Sequence, residues 1–310
     1  MDTVMSFSVY GSNAQENLEQ AESEICRLEA LLSVTDEGSE VWQLDHTGSA
    51  SLAALSEDFR SLLETALTLG EETDGALDVT LYPVVKAWGF TTGEYQVPDE
   101  DTLASLLEQV DYKVLDLSGD TLTLPQGVEV DLGALAKGYA GERCAALLRE
   151  GGTTSALLNL GGNVQTVGSK PDGSPWRIGI QDPEGEAADS VAVVELTDRA
   201  AVTSGGYQRY FEEDGVRYWH IIDPATGAPA RNGLTSVTVV GESGTLCDGL
   251  STALFVMGRE KALDFWRSHL DWGFDLILLD EDYNIWYTAG LADSFTLVEG
   301  YGYTPRLVEE

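Results

Sequence analysis

The spacing of apolar residues changes character partway along this 310-residue chain, and that change limits the folds open to it. Up to about residue 150 apolar side chains recur every three or four positions, as on one face of a helix. Beyond that point they alternate or run in short blocks of strand length, punctuated by glycine and proline. Residues 3–10 alternate and read as a strand. Asn13 then caps a helix with Leu18, Ala21, Ile25, Leu28 and Leu32 on its apolar face. Residues 33–50 are polar and read as a loop. A second helix is expected over 51–70, with Leu52, Leu55, Phe59, Leu62, Leu63, Ala66 and Leu69 inward. A short helix is expected around 81–87, and Pro98-Asp99 opens another. Short strands are expected near 112–117, 121–124 and 128–130. A long helix covers 133–149 and stops at Gly151-Gly152. Strands follow at 154–160, 163–168, 175–181, 191–196, 200–204, 206–212, 216–222 and 235–241. Helices at 245–257 and 259–270 precede a last strand pair, 274–280 and 284–288. This order lacks regular strand–helix–strand alternation. It predicts an α+β fold of antiparallel sheets with packed helices rather than a doubly wound parallel sheet. With no repeat and no linker, one continuous domain over 1–310 is expected.

The chain carries 53 acidic and 17 basic side chains, a formal charge of −36. That excess is not disorder, because 7 Trp, 12 Tyr and 8 Phe supply core material. It argues against nucleic acid, whose counterions must be displaced by basic groups, and against anionic lipid. A phosphate-bearing ligand is still open to it, because backbone N–H groups or a metal ion override the global field locally. No apolar run approaches the ~20 residues of a spanning helix. No basic, apolar leader opens the chain at Met1, so no signal peptide is expected. Cys26, Cys144 and Cys247 are odd in number and widely separated, which is neither a disulfide framework nor a zinc pattern. Cys26 and Cys144 read as small buried hydrophobes.

Four segments have residue types suited to chemistry. Asp131 through Ala140 joins a strand to a helix. Its small residues permit close backbone approach, its helix start favours an anion, and Lys137 adds positive charge. An equally good reading makes Asp131 a helix cap. Leu158-Asn159-Leu160-Gly161-Gly162-Asn163 reads first as a hairpin turn. Thr203-Ser204-Gly205-Gly206-Tyr207-Gln208-Arg209-Tyr210 precedes Tyr218-Trp219-His220, one of only three histidines, and a Pro-Ala-Thr-Gly turn. A strand histidine is usually structural, but two clusters of glycine and small polar residues around it favour a site. In Cys247 through Leu254, Asp248 and Thr252 share one helix face, with Ser251 beside them. Carboxylate and hydroxyl oxygens suit Mg²⁺. Taken alone, this segment reads more simply as a capping aspartate with small helix residues.

Together and in this order the segments resemble the ApbE family, the FAD:protein FMN transferases. The resemblance also takes in Met1-Asp2-Thr3, Leu31-Leu32-Ser33, and Gly75-Ala76-Leu77-Asp78-Val79-Thr80 through Trp88-Gly89-Phe90. It departs from the family pattern at Asp2, where glycine is usual, and at Thr35, where an aromatic often stands. The resemblance implies a T-fold-like architecture and FAD as substrate. It implies Mg²⁺ held by Asp248 and Thr252, with Ser251 and the Ala134 carbonyl as further candidates. Met1, Ala76, Leu77, Asp78, Asp131, Lys137 and Ile222 would line the FAD site, and His220 is the candidate base. The partner would be an acceptor flavoprotein with a modifiable Thr or Ser, such as a membrane-associated electron-transfer subunit or an FMN-binding domain. Its hydroxyl would take FMN from FAD and AMP would leave. An Mg²⁺-dependent FAD pyrophosphatase and a non-catalytic flavin-binding protein are the alternatives. The resemblance further implies a place outside the cytoplasm, at a bacterial cell surface or in a periplasm as a trimmed lipoprotein, with the cytoplasm as the alternative.

Overall fold

A computed structural model describes residues 3–186 and 188–310. In chain order the elements are β1 (Met5–Tyr10), α1 (Ala14–Leu32), α2 (Glu40–Thr47), β2 (Ser49–Ser51), α3 (Glu57–Glu72), α4 (Tyr82–Ala87), α5 (Glu100–Leu107) and β3 (Thr121–Thr123). The long helix α6 (Gly133–Glu150) leads into β4 (Ser155–Leu160), β5 (Asn163–Val167), β6 (Trp176–Gln181), β7 (Ser190–Leu196) and β8 (Ala200–Gly205). A hairpin of β9 (Tyr210–Glu213) and β10 (Val216–Trp219) precedes β11 (Leu234–Gly241), α7 (Gly244–Met257) and α8 (Arg259–Ser268). The chain closes with β12 (Asp275–Asp280), β13 (Asn284–Thr288), β14 (Phe295–Leu297) and β15 (Thr304–Val308).

Eight strands form the main sheet, in the order β1-β4-β5-β8-β11-β12-β13-β15. Every neighbouring pair is antiparallel except β13 with β15. The central strands are covered on both faces, and the pleat sorts their side chains between two cores. Leu276 and Leu278 of β12 join Val237 and Val239 of β11 under α3, α7 and α8. Ile277 and Leu279 point the other way, onto the three-stranded sheet β14-β7-β6 with Trp176, Ile178 and Val194. The structure is therefore α+β: helices on one face of the large sheet and a small sheet on part of the other. The unbroken apolar run of β12 follows from this two-sided burial.

Several elements differ from expectation for local reasons. Residues 33–50 hold α2, started by Ser39 Oγ, which accepts from the Trp42 amide at 2.9 Å. The second long helix starts at Glu57, not 51, because Ser56 Oγ accepts from the Phe59 amide. Asn13 precedes α1 without a side-chain capping bond. The stretch 112–117 begins as a turn of 3₁₀ helix, with the Asp111 carboxylate accepting from the Lys113 amide, and 128–130 forms no strand. Cys26 is exposed, whereas Cys144 is buried.

Candidate functional site

The loop 76–81, the start of α6, the Gly161-Gly162 turn, the end of β8, the feet of the β9–β10 hairpin and one face of α7 surround a cleft of about 610 Å³. Ala76, Leu77, Asp78, Asp131, Ala134, Lys137, His220, Ile222, Asp248 and Thr252 all line it. Segments more than 170 positions apart in sequence thus converge on one cavity. Met1 lies outside the described residues. Ser251 does not face the cleft; it is fully buried beneath Thr252.

Two helix backbones meet closely under this cleft. A Cβ on Gly138 of α6 would stand 2.1 Å from the Gly244 carbonyl oxygen of α7 and 2.6 Å from Asp248 Cβ. Glycine lets the two helices touch. The Gly138 amide donates to Asp248 Oδ2 at 2.7 Å. In a regular helix that N–H would close on the carbonyl four residues back, which belongs to Ala134. The same hydrogen bond thus fixes Asp248 at the α6 turn whose Ala134 lines the cleft. Glu142, one turn further along α6, accepts from Ser243 Oγ at 2.8 Å and from the Thr245 amide and hydroxyl, which secures the start of α7.

Asp248 is 4 % exposed. Desolvation pushes its carboxyl above the usual range, against the opposing pull of Lys137 and the Gly138 amide. Ser251 donates to the Asp248 carbonyl at 2.8 Å. Its oxygen is then free to accept from Ser204 Oγ, also at 2.8 Å. Ser204 Oγ lies 3.3 Å from Thr252 Oγ1. Ser251 therefore holds Ser204 and Thr252 in place from behind. A divalent cation is implied by the resemblance, and the donor set fits one. A buried carboxylate, two hydroxyls and a main-chain carbonyl are all hard oxygen ligands, and the carboxylate is desolvated without an ion pair among the described residues.

At the mouth of α6, Asp131 Oδ1 accepts from the Gly133 amide at 2.7 Å. The aspartate thus occupies the place an anion would take at this helix start, and it narrows the anion site expected there. Desolvation raises its pKa, opposed by the Gly133 amide, Lys137 and Arg209. Asp78 is likewise raised by desolvation. Its carboxylate accepts from the Thr80 amide and hydroxyl and from the Tyr112 amide, which rigidifies the 76–81 loop.

His220 follows β10. Its amide donates to the Arg209 carbonyl at 3.1 Å, and its Nδ1 lies 3.2 Å from the same oxygen. A carbonyl can only accept, so Nδ1 carries the proton and Nε2 keeps its lone pair. Burial, Lys137 and Arg209 depress the pKa to about 4. The ring is therefore neutral near pH 7 and able to accept a proton.

Thr3, Tyr82, Phe90, Asn163, Gln181, Tyr207 and Arg209 also line the cleft and were given no individual site role by the sequence. Tyr207 and Arg209 fall in the glycine-rich cluster 203–210, Asn163 in the Gly161-Gly162 turn and Phe90 at the end of the 75–90 segment, which are the signals that pointed to them. Burial raises the Tyr207 hydroxyl to about 12, so it is a neutral donor. Thr35 is turned into a local hydrogen bond with Ser33 and is absent from the cleft.

The fold and the cleft define a flavin-transferase-like α+β protein, and comparison with known proteins agrees. The ApbE family model matches residues 1–274. An FAD:protein FMN transferase of Treponema pallidum is 32% identical over 317 residues, covering 96% of this chain and 87% of the relative. The crystal structure of the ApbE protein from Thermotoga maritima superposes with a TM-score of 0.80 at 33% identity, over 94% of this chain and 92% of that one. The flavin transferase ApbE from Vibrio cholerae gives 0.78 at 28% identity, over 98% and 95%. The chain belongs to the ApbE family.

Proposed function

We propose that this protein transfers FMN from FAD to a serine or threonine hydroxyl of an acceptor protein and releases AMP. The observation that carries this reading is the convergence, in one cleft, of Asp248 and Thr252 on one helix, Lys137, and His220 with a free Nε2 within the field of Lys137 and Arg209. Relatives named FAD:protein FMN transferase support it.

Mg²⁺ would be held by Asp248, Thr252 and the Ala134 carbonyl, with Ser251 acting through Ser204 and Thr252. When bound, it supplies charge neutralisation to the diphosphate and to the leaving group. The protein's own residues do the rest. Lys137 holds phosphate oxygens in a molecule whose net field of −36 repels them at long range. Asp131 and Asp78 offer carboxylate oxygens to ring or sugar N–H and O–H groups, and Ile222 and Leu77 give the flat ring an apolar wall. His220 Nε2 accepts the acceptor hydroxyl's proton as that oxygen forms its bond to the FMN-side phosphorus, and the bond from phosphorus to the AMP oxygen breaks. The acceptor is a flavoprotein subunit or FMN-binding domain, met outside the cytoplasm.

The test is to mix the protein with FAD, Mg²⁺ and a flavin-accepting protein and run a denaturing gel. A fluorescent acceptor band is expected. AMP without that band identifies a pyrophosphatase instead, and retained FAD without AMP identifies a flavin-binding protein.

A further inference from the structure

Among the described residues, two basic side chains line the cleft, Lys137 and Arg209. The chain has three times as many carboxylates as lysines and arginines, yet neither of these two makes an ion pair among the described residues. Most of the other arginines do: Arg27, Arg143, Arg149, Arg177, Arg199, Arg217, Arg259 and Arg267 each have a carboxylate within 4 Å. Asp131 acts on Arg209 only from beyond ion-pair distance, so this partly buried guanidinium recovers little of its desolvation penalty. A charge left in that state is available to an anion from outside the chain.

Arg209 is also anchored. Its Nη2 donates to the Phe90 carbonyl, which directs the rest of the fork. Its main-chain carbonyl receives both the His220 amide and His220 Nδ1. The β9–β10 hairpin, whose strands pair Tyr210 with Trp219, clamps the two residues together at its foot. Arg209 and His220 are therefore held as one unit facing the cleft.

We propose that Arg209 binds the diphosphate of the substrate as a second fixed cation of the cleft, alongside Lys137. The proposal rests on the FAD reading above and adds a residue to it. A guanidinium fork offers two parallel N–H donors to two phosphate oxygens, where Lys137 offers a point charge. Binding the diphosphate neutralises the cation that sits against His220, so substrate binding and the readiness of the base are coupled through one residue.

The experiment measures equilibrium binding of FAD, ADP and riboflavin to the full chain in Mg²⁺, for wild type, Arg209→Met and Arg209→Lys. The expected result is that Arg209→Met weakens FAD and ADP by about 10- to 100-fold, the range of a charge-assisted hydrogen-bonded pair, while riboflavin affinity is unchanged. Arg209→Lys recovers part of the loss. Equal weakening of riboflavin and FAD overturns the proposal and makes Arg209 a purely structural clamp of the hairpin. Unchanged FAD affinity in Arg209→Met also overturns it. If wild-type protein binds none of the three, the flavin reading fails rather than this residue's role in it. Melting temperatures of all variants show whether the hairpin itself has been lost.

Discussion

Gly138→Ala is the sharpest test of how the cleft is built. On helix propensity alone the change stabilises α6 by about 1 kcal/mol. The structure predicts the opposite sign. The added Cβ would sit 2.1 Å from the Gly244 oxygen and 2.7 Å from its carbonyl carbon, where ordinary contact begins at 3.4 Å. Both are backbone atoms and cannot rotate away, so α6 and α7 must separate. Overpacking of this kind costs about 1–3 kcal/mol. Separation also stretches the 2.7 Å bond from the Gly138 amide to Asp248, and hydrogen bonds to charged groups are worth about 1.5–3 kcal/mol. Set against the propensity gain, the net loss is about 1.5–5 kcal/mol. Urea denaturation followed by tryptophan fluorescence measures it, and flavin transfer at a series of Mg²⁺ concentrations reads the site. The midpoint should fall, and the Mg²⁺ requirement should rise by more than tenfold. A more stable Gly138→Ala protein with an unchanged Mg²⁺ requirement would refute the claim that this helix contact sets the position of Asp248.

Other outcomes follow from the same geometry. Thr252→Val keeps the side-chain shape but removes an oxygen, so the Mg²⁺ requirement should rise with the melting temperature nearly unchanged; an unchanged requirement takes Thr252 out of the metal site. His220 has its folded pKa depressed to about 4, so the acid limb of kcat/KM should lie near 4 instead of the ordinary value near 6.5. Because the unfolded histidine binds protons first, His220 lowers stability as pH falls from about 6.5 towards 4. His220→Gln should flatten that part of the stability curve, which denaturation at a series of pH values measures. Asp45 is raised to about 7, chiefly by desolvation, and accepts from the Val130 amide at 2.8 Å. Its folded state holds a proton the unfolded state has released, so its contribution falls as pH rises from about 4 to 7. Asp45→Asn should remove that decline while keeping the Val130 bond, and a steeper decline would contradict the assignment.

The long helices and the strand-rich second half were legible because their cores are long enough to repeat a period. Helix α2 was not, since only Val41 and Leu44 of its eight residues are buried. Two positions cannot establish a period. Strands β14 and β15 were missed for a related reason: Thr304, Pro305, Arg306 and Leu307 are exposed at the sheet edge, so no alternation marks them. At the site, the order of small motifs was enough to gather Asp248, Thr252, Asp131, Lys137 and His220. It could not separate Ser251 from Thr252, because adjacent helix residues differ by about 100° in direction and only the packing of α7 on Ser204 decides which one faces the cleft. Arg209 escaped notice because its significance is a missing ion pair, which is a property of the folded charge distribution. The net charge of −36, visible at once, takes on mechanistic meaning only when two unpaired cations are found facing one cavity.

The central claim is that this cleft moves FMN onto a protein hydroxyl. Intact-mass analysis of an acceptor protein after incubation with FAD and Mg²⁺, with AMP measured in the same sample, tests it most directly. The account predicts one phosphoester-linked FMN on a serine or threonine, one AMP released for each, and neither product with Asp248→Asn. AMP accumulating while the acceptor mass stays unchanged, or full labelling by Asp248→Asn, would contradict it.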